Sequence, residues 1–202
     1  MTFEVTEPVL VIGLGGVGSK LALELKEVVN ADCLCISNDK KDLNHDNSIE
    51  ISTKSIINPT IQLIRGCAGE QTDKIIKHVT NYETIIIMAN LAGKAGAALS
   101  PTVSSICKEQ NKNVLSFAIM PFKFEKDRIF QSGISLKRLR TNSDCTIIID
   151  NDDKNIHNEI KADKDLAKVY KKSNHSEIVL PNDASTSDWL GLIDKIDKAL
   201  HE

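Results

Sequence analysis

The sequence predicts an α/β domain with a mostly parallel sheet, whose strands are joined by crossover helices in a Rossmann-like three-layer arrangement. Three observations predict it: short apolar runs rich in Val and Ile recur along the chain, amphipathic segments alternate with them, and glycine-rich turns follow two of the runs. Continuous apolar runs are typical of strands buried on both faces. The 202 residues suffice for one such domain.

The expected strands and helices alternate up to about residue 150. The expected strands are PVLVI (8–12), DCLCIS (32–37), a weak EIS near 50, TIIIMA (84–89), NVLSFAI (113–119) and CTIIID (145–150). Helices are expected over 17–29, 70–79, 97–110 and 126–140, and a long polar loop over 38–60. Pro101 falls where the first turns of a helix are expected, so its missing N–H costs little there and predicts a helix start close to Gly96.

The segment after Asp150 is rich in charge and Asn, which predicts a surface turn and a short helix. A last helix is expected from Ser187 to about His201, because apolar residues fall at helical spacing there. That apolar face consists of Trp189, Leu192, Ile193, Ile196 and Leu200. We expect it to pack on the sheet; docking to a partner is the alternative.

Composition and charge exclude several classes of function. A net charge of -3 and a pI near 6.0 do not predict a nucleic-acid partner. No apolar run approaches the roughly 20 residues of a membrane helix, and the N-terminus resembles no signal peptide, so we expect a cytoplasmic protein without membrane insertion. Five cysteines without zinc-type spacing predict reduced, buried thiols, and Cys33 and Cys35 would share one strand face in the core.

The first glycine-rich turn, GLGGVG over 13–18, satisfies G-x-G-x-x-G between a strand and a helix. This context fits a Rossmann dehydrogenase, an adenylating enzyme of the ubiquitin-activating type, or a tubulin-like GTPase. In the Rossmann interpretation Asp39, about twenty residues onward, suits a ribose hydroxyl. Glycines retained only for tight strand-to-helix packing are the plainer alternative.

The second glycine-rich turn, ANLAGKAGAAL over 89–99, separates these interpretations. Gly93 and Gly96 permit close backbone approach, and the helix that follows would point free N–H groups at an anion. A Rossmann domain needs one phosphate loop, whereas this chain offers two. A further segment, MPFKFE over 120–125, follows the next expected strand.

Together these segments resemble the tubulin and FtsZ superfamily. GLGGVGSK is similar to its first loop, SNDKKDL to its second, NLAGKAGAALSP to its fourth and MPFKFE to its fifth. RLRTNSDCTIIIDND resembles the elements that close its nucleotide-binding domain, and order and spacing agree over about residues 8–152. The resemblance implies an FtsZ-like core over 1–152 and a divergent extension of the same domain over 153–202, ending in an amphipathic helix.

The resemblance implies GTP or GDP as the ligand, with or without Mg²⁺, because the family holds the phosphates on its first and fourth loops and the ribose near its fifth. The positions implied are Gly15, Gly16, Val17 and Lys20 for the phosphates, with Asn38 and Asp39 nearby, then Ala92, Gly93, Lys94, Ala95 and Gly96 in the fourth loop, Glu125 for the ribose, and Arg128 for the base or phosphate. No catalytic residue or metal ligand is assigned. For Asp150, Asp152 and Asp153 a solvated turn is favoured over a magnesium site.

The chain departs from the family at the fourth loop, where alanines replace glycines and both phosphate-facing threonines. Lys94 either compensates as a point charge or faces solvent. Ile119 stands in place of a threonine and Lys20 in place of an asparagine. The candidate for the third, γ-phosphate loop is GCAG over 66–69, which also fits a plain turn ahead of a helix near Glu70.

The 202 residues contain no N-x-D-x-x-D catalytic loop, long central helix or second domain of the family. The resemblance therefore implies a guanine-nucleotide-binding protein without GTPase activity of its own, which acts as a partner or modulator of a full-length FtsZ-like filament or self-associates. One alternative is a pseudo-GTPase scaffold that binds no nucleotide. The other is a Rossmann-type NAD or adenylate binder.

Overall fold

The computed structural model describes residues 5–54 and 56–151, and the backbone of 176–181. Its sheet has seven strands in the order β3-β2-β1-β4-β5-β6-β7, and every neighbouring pair is parallel. The strands are β1 Val9–Leu14, β2 Asp32–Ser37, β3 Ser48–Glu50, β4 Thr84–Asn90, β5 Asn113–Ile119, β6 Cys145–Asp150 and β7 Ser176–Pro181. The predicted fold class is confirmed.

Five α-helices and one short 3₁₀ helix lie between the strands of the described chain. The α-helices are α1 Gly15–Val29, α2 Ile61–Gly69, α3 Thr72–Val79, α4 Lys94–Glu109 and α5 Lys126–Thr141. The 3₁₀ helix, Lys40–Asp42, follows β2. Helix α1 lies on one face of the sheet, and the other four α-helices pack together on the opposite face.

The apolar runs are continuous because both faces of the sheet are covered. Along β2, Leu34 and Ile36 belong to the core under α2 to α5, while Cys33 and Cys35 belong to the core under α1. All five cysteines are buried and none forms a disulfide, as predicted. The alternation of side chains along β2 thus supplies both cores at once.

The strand order reverses between β1 and β4. From β1 the chain proceeds outward through β2 and β3, whereas from β4 it proceeds the other way through β5, β6 and β7. The connections that leave β1 and β4 therefore diverge to opposite faces, and a crevice opens at the carboxyl ends of these two strands. In open parallel α/β sheets, ligands bind at such a switch point.

Two elements were not predicted from the sequence, helix α2 and strand β7. Helix α2 was missed because Gly66 and Gly69 suggested a turn, but both lie inside it, so the proposed third-loop counterpart at 66–69 is wrong. Burial of Ile64, Cys67 and Ala68 and a Thr60 side-chain cap on the Leu63 N–H hold this helix despite its glycines. Strand β7 pairs with β6 within a stretch for which no strand was expected.

Three helices begin at other residues than predicted. Helices α1 and α4 begin two and three residues earlier than predicted, at Gly15 and Lys94, so Ala95 and Gly96 lie within the first turn of α4. The helix predicted near Glu70 begins at Thr72. The short helix expected beyond Asp150 and the amphipathic helix at 187–201 lie outside the described residues.

Pro101 lies deeper in α4 than predicted, and its missing N–H is compensated by another helix. In a regular helix the N–H of residue 101 would donate to the carbonyl of Ala97. Ser135 of α5 donates its hydroxyl to that carbonyl instead, at 2.8 Å. Because Pro101 and Ser135 are both buried, this bond joins α4 to α5 in a place that water does not reach.

Ser135→Ala is expected to lower the free energy of unfolding by about 1–2 kcal/mol, because the Ala97 carbonyl loses its partner. In a Pro101→Ala background, the new N–H at residue 101 can reach that carbonyl, so the same substitution should cost about 1 kcal/mol less. Urea denaturation of the four proteins measures the coupling. An equal cost in both backgrounds would contradict the assignment.

Candidate functional site

The N-termini of α1 and α4 meet at the carboxyl ends of β1 and β4. Helix α1 begins directly after β1 at Gly15, whose φ of 70° is unfavourable for other residues. A Cβ on Gly15 would lie 2.9 Å from the Cβ of Ala95 and 3.4 Å from the backbone N of Gly96. The structure therefore brings the first and fourth loops into direct contact, at the switch point of the sheet.

Both of these helix N-termini lack the usual local partners. Helices α1 and α4 have neither a side-chain cap nor an acidic residue in the first turn. The other described α-helices have one or the other: Thr60 caps α2, while Asp73 and Asp127 lie in the first turns of α3 and α5. Two sets of free N–H groups and two positive helix ends thus face one crevice, which favours an anion.

The fourth loop is fixed by its own hydrogen bonds. The Asn90 side chain accepts from the N–H of Ala92 at 3.0 Å, and the Asn90 carbonyl accepts from the N–H of Gly93 at 3.2 Å. The Leu91 N–H donates to the Ile119 carbonyl of β5, and the Leu91 carbonyl accepts from the buried Ser132 hydroxyl of α5. The loop is consequently anchored to the neighbouring strand and to the helix layer.

Both lysines named from the sequence are exposed, Lys20 on α1 and Lys94 on α4. Lys94, the first residue of α4, is exposed and donates from Nζ to Oδ1 of Asn58 at 2.6 Å. Asn58 belongs to the segment between β3 and α2. Val17 and Lys20 are exposed on the first two turns of α1.

The second loop caps itself and also reaches the first loop. The exposed Asp39 accepts the N–H of Lys41 at 3.0 Å as the N-cap of the 3₁₀ helix, and Asn38 beside it is half-buried. Asp42 was not named from the sequence. Its Oδ1 lies 2.6 Å from where a Cβ on Gly16 would be.

Asp42 is held in this position by the end of β2. Its Oδ2 accepts from the hydroxyl of the buried Ser37 at 2.7 Å. The carboxylate thus lies beside the first turn of α1, where a negative charge is stabilised by the helix dipole. The sequence signal that could have found it is the turn of 3₁₀ helix, which places residues 39 and 42 on the same side.

The fifth loop forms a compact turn at the end of β5. Glu125 accepts the N–H of Phe122 with Oε2 at 3.1 Å and a guanidinium N–H of Arg128 with Oε1 at 2.8 Å. The rings of Phe122 and Phe124 stack with centroids 5.2 Å apart. The two residues assigned to the ribose and base are therefore paired with each other.

The described residues place limits on other sites. Within residues 5–54 and 56–151, no three His, Cys, Asp or Glu side chains are grouped closely enough to hold a metal ion. Asp152 and Asp153 of the considered magnesium cluster lie outside the described chain. None of the described helices combines the length and the apolarity that crossing a membrane requires.

The fold and the paired glycine-rich helix starts define a doubly wound parallel α/β domain. The sequence profile described as "Tubulin/FtsZ family, GTPase domain" matches residues 8–158. The chain belongs to this family, and the resemblance inferred from its loops is confirmed. The family match also decides among the three classes that the first glycine motif left open.

Similar proteins agree with this assignment. Cell division protein FtsZ 2 of Haloferax volcanii is 28% identical over 155 residues, which cover 71% of this chain and 38% of that protein. The chain is 26% identical to cell division protein FtsZ 2 of Methanocaldococcus jannaschii, covering 71% of itself and 40% of that relative. The chain thus spans about two fifths of the length of these curated relatives.

Solved structures share the fold. A structure described as an empty FtsZ dimer from M. jannaschii superposes with a TM-score of 0.67 at 22% identity, over 84% of this chain and 52% of that one. CetZ from Methanosaeta thermophila gives a TM-score of 0.61 at 17% identity, over 84% and 51% of the two chains. At these identities the similarity concerns the fold.

Proposed function

We propose that this domain binds guanine nucleotide, with the phosphates in the crevice between the N-termini of α1 and α4. The observation that carries the proposal is the contact of Gly15 with Ala95 at the strand switch point, between two helices that have no cap and no acidic first turn. Backbone N–H groups of Gly15, Gly16 and Val17 would bind from the first loop, and those of Ala95 and Gly96 from the fourth.

The nucleoside would extend toward the fifth loop. Glu125 uses one bond on each carboxylate oxygen, so each oxygen keeps a lone pair for a ribose hydroxyl. Arg128 keeps guanidinium donors beyond its bond to Glu125, which suit a base carbonyl or a phosphate. The Asn90 turn and the Leu91 bond to β5 hold the fourth and fifth loops at neighbouring strand ends.

The alanines of the fourth loop set the expected strength of binding. Ala92, Ala95 and Ala97 carry no hydroxyl, and the N–H groups of Ala92 and Ala97 are already bonded to Asn90 and Gly93. The phosphates therefore rely on the other main-chain donors of the loop and on the helix dipoles. We accordingly propose weak binding, and a domain that acts as partner of a full-length FtsZ-like filament rather than as an efficient GTPase. Mg²⁺ would enter with the nucleotide, next to the Asp42 carboxylate.

Binding itself is tested by titrating a fluorescent GDP analogue into nucleotide-free protein and displacing it with GTP, GDP, ATP or NAD. The proposal predicts saturable binding and displacement by the guanine nucleotides at lower concentration than by ATP or NAD. A chain that binds none of them would favour the pseudo-GTPase scaffold. Preference for NAD or ATP would contradict the proposed specificity for guanine nucleotides.

Asp42→Asn is expected to strengthen GDP binding about five- to tenfold without Mg²⁺, because the carboxylate beside Gly16 repels the incoming phosphates. With Mg²⁺ present the gain should shrink, since the cation offsets the repulsion. Asp46→Asn is the matched control, because Asp46 is exposed in the same connection. Weaker binding by Asp42→Asn in the absence of Mg²⁺ would contradict this role.

The filament role is tested by sedimentation with a cognate full-length FtsZ-like protein and GTP. We expect the domain to shorten the filaments or to pellet with them, and Gly93→Asp, which is designed to block the crevice, to remove the effect. Filaments of unchanged length and amount, with the domain left in the supernatant, would contradict it.

A further inference from the structure

A second cleft lies away from the nucleotide crevice, on the outer side of the helix layer. Helices α2, α4 and α5 and the start of α3 surround a volume of about 470 Å³. This volume lies in the range of small-molecule sites, which is roughly 300–1,000 Å³. The polar side chains that matter here are Arg65 of α2, Glu109 of α4, and Arg138 and Asn142 at the end of α5.

The two arginines of this cleft have no counter-ion in the described chain. The ion pairs found there involve neither Arg65 nor Arg138. Burial and, after it, the charge of Arg138 lower the pKa of Arg65, so the two guanidiniums lie within each other's field. Two arginines that face one space, neither of them ion-paired with a carboxylate, leave a positive site that an anion would stabilise.

Arg65 also carries an unsatisfied donor. Its Nε is buried and has no hydrogen-bond partner among the described residues. Buried polar groups are nearly always hydrogen-bonded, so an orphan of this kind calls for an explanation such as an unrecorded ligand. The guanidinium fork of arginine matches the two oxygens of a carboxylate or phosphate group.

The remaining walls restrict the charge of the ligand. Glu109 is engaged by the Ser105 hydroxyl at 2.8 Å, and its carboxylate leaves the cleft with two positive groups and one negative group. The hydroxyl of Thr141 donates to the carbonyl of Lys137 at 3.0 Å, so it contributes little to an anion. The Asn142 side-chain amide remains as a neutral donor.

We propose that this cleft binds the carboxylate or phosphate group of a small molecule between Arg65 and Arg138. The site is separate from the nucleotide crevice, since α4 contributes its first turn to the crevice and its later turns to the cleft. Its occupant would bridge α2 to α5 and stabilise the helix layer. The proposal does not depend on nucleotide binding.

The test follows the arginine Nε–Hε signals in a proton–nitrogen correlation spectrum during titrations with sodium phosphate and with citrate at constant ionic strength. We expect the Arg65 signal to shift and saturate at millimolar concentration with at least one of the two anions. Arg138→Gln should weaken that response about tenfold, because one of the two charged donors is lost. Lys137→Gln removes the same charge from an adjacent, exposed position and should leave the response unchanged.

The titration is repeated in the Gly93→Asp protein to separate the two sites. If the cleft binds the anion, the Arg65 response persists there, whereas a response that reports on the nucleotide crevice disappears. A linear shift with both anions, or an equal response in the Arg138→Gln and Lys137→Gln proteins, would overturn the proposal.

Discussion

Gly96→Ala is expected to lower the free energy of unfolding by about 3 kcal/mol, because the added methyl has no room. A Cβ at this position would lie 2.0 Å from the carbonyl oxygen of Asn90 and 2.8 Å from its carbonyl carbon. Both atoms belong to the end of β4, so relief requires α4 to move away from the sheet. Urea denaturation of the wild type and the variant measures the loss.

Gly133→Ala is the matched control for this substitution. Gly133 lies inside α5, and no heavy atom comes within 4 Å of a Cβ built there. Alanine should therefore stabilise the helix by about 0.5–1 kcal/mol. A loss of less than about 1 kcal/mol for Gly96→Ala would show that α4 does not approach β4 as closely as described.

Gly93→Asp is expected to weaken GDP binding without lowering the stability of the fold. Gly93 is the N-cap of α4, and a Cβ there would make only an ordinary contact, 3.6 Å from the Asn90 carbonyl oxygen. Aspartate is a favourable N-cap, so stability without ligand should stay equal or rise by a few tenths of a kcal/mol. The carboxylate would occupy the phosphate position and weaken GDP binding by at least about tenfold.

Gly93→Asn controls for the size of the new side chain. Asparagine caps a helix as well as aspartate but carries no charge, so it should weaken GDP binding less than aspartate does. Denaturation without ligand and GDP titration of both variants give the comparison. Equal GDP affinity in the wild type and the Gly93→Asp protein would show that the start of α4 does not meet the phosphates.

Gly15 is less suitable for the same purpose. Any substitution there must adopt the φ of 70° and approach the Ala95 methyl at 2.9 Å, so the fold is strained along with the site. Loss of binding in such a variant would follow from either cause. Gly93 has the advantage that its φ of -87° suits any residue.

The sheet was predictable because most of its strands coincide with continuous apolar runs in the sequence. Runs such as TIIIMA are long enough, and buried enough on both faces, that tertiary packing and local preference agree. Helix α2 was not predictable because Gly66 and Gly69 oppose helix formation locally, and burial of Ile64 and Cys67 together with the Thr60 cap outweighs them. Strand β7 owes its place to pairing with β6, a contact that the local sequence does not encode.

The glycine loops were predictable, but the contacts that shape them were not. The spacing of Gly15 and Gly96 within strand-turn-helix patterns identifies the two loops. Three polar residues make these contacts: Asp42 beside Gly16, Ser132 beneath the fourth loop and Ser135 beneath α4. In the sequence, each of them fits an exposed surface equally well. Their partners are distant in sequence, so only the folded chain reveals them.

Guanine-nucleotide binding is tested most directly by a thermal-shift titration of the nucleotide-free chain with GTP, GDP, ATP and NAD in the presence of Mg²⁺. At a concentration about 100-fold above Kd, a ligand that binds only the folded state adds roughly 2.7 kcal/mol, or about 5–10 °C in Tm for a domain of this size. We predict this shift with GTP or GDP, and its loss in the Gly93→Asp protein. A cooperative melt that no nucleotide shifts would contradict the account and leave a fold of the Tubulin/FtsZ family without its ligand.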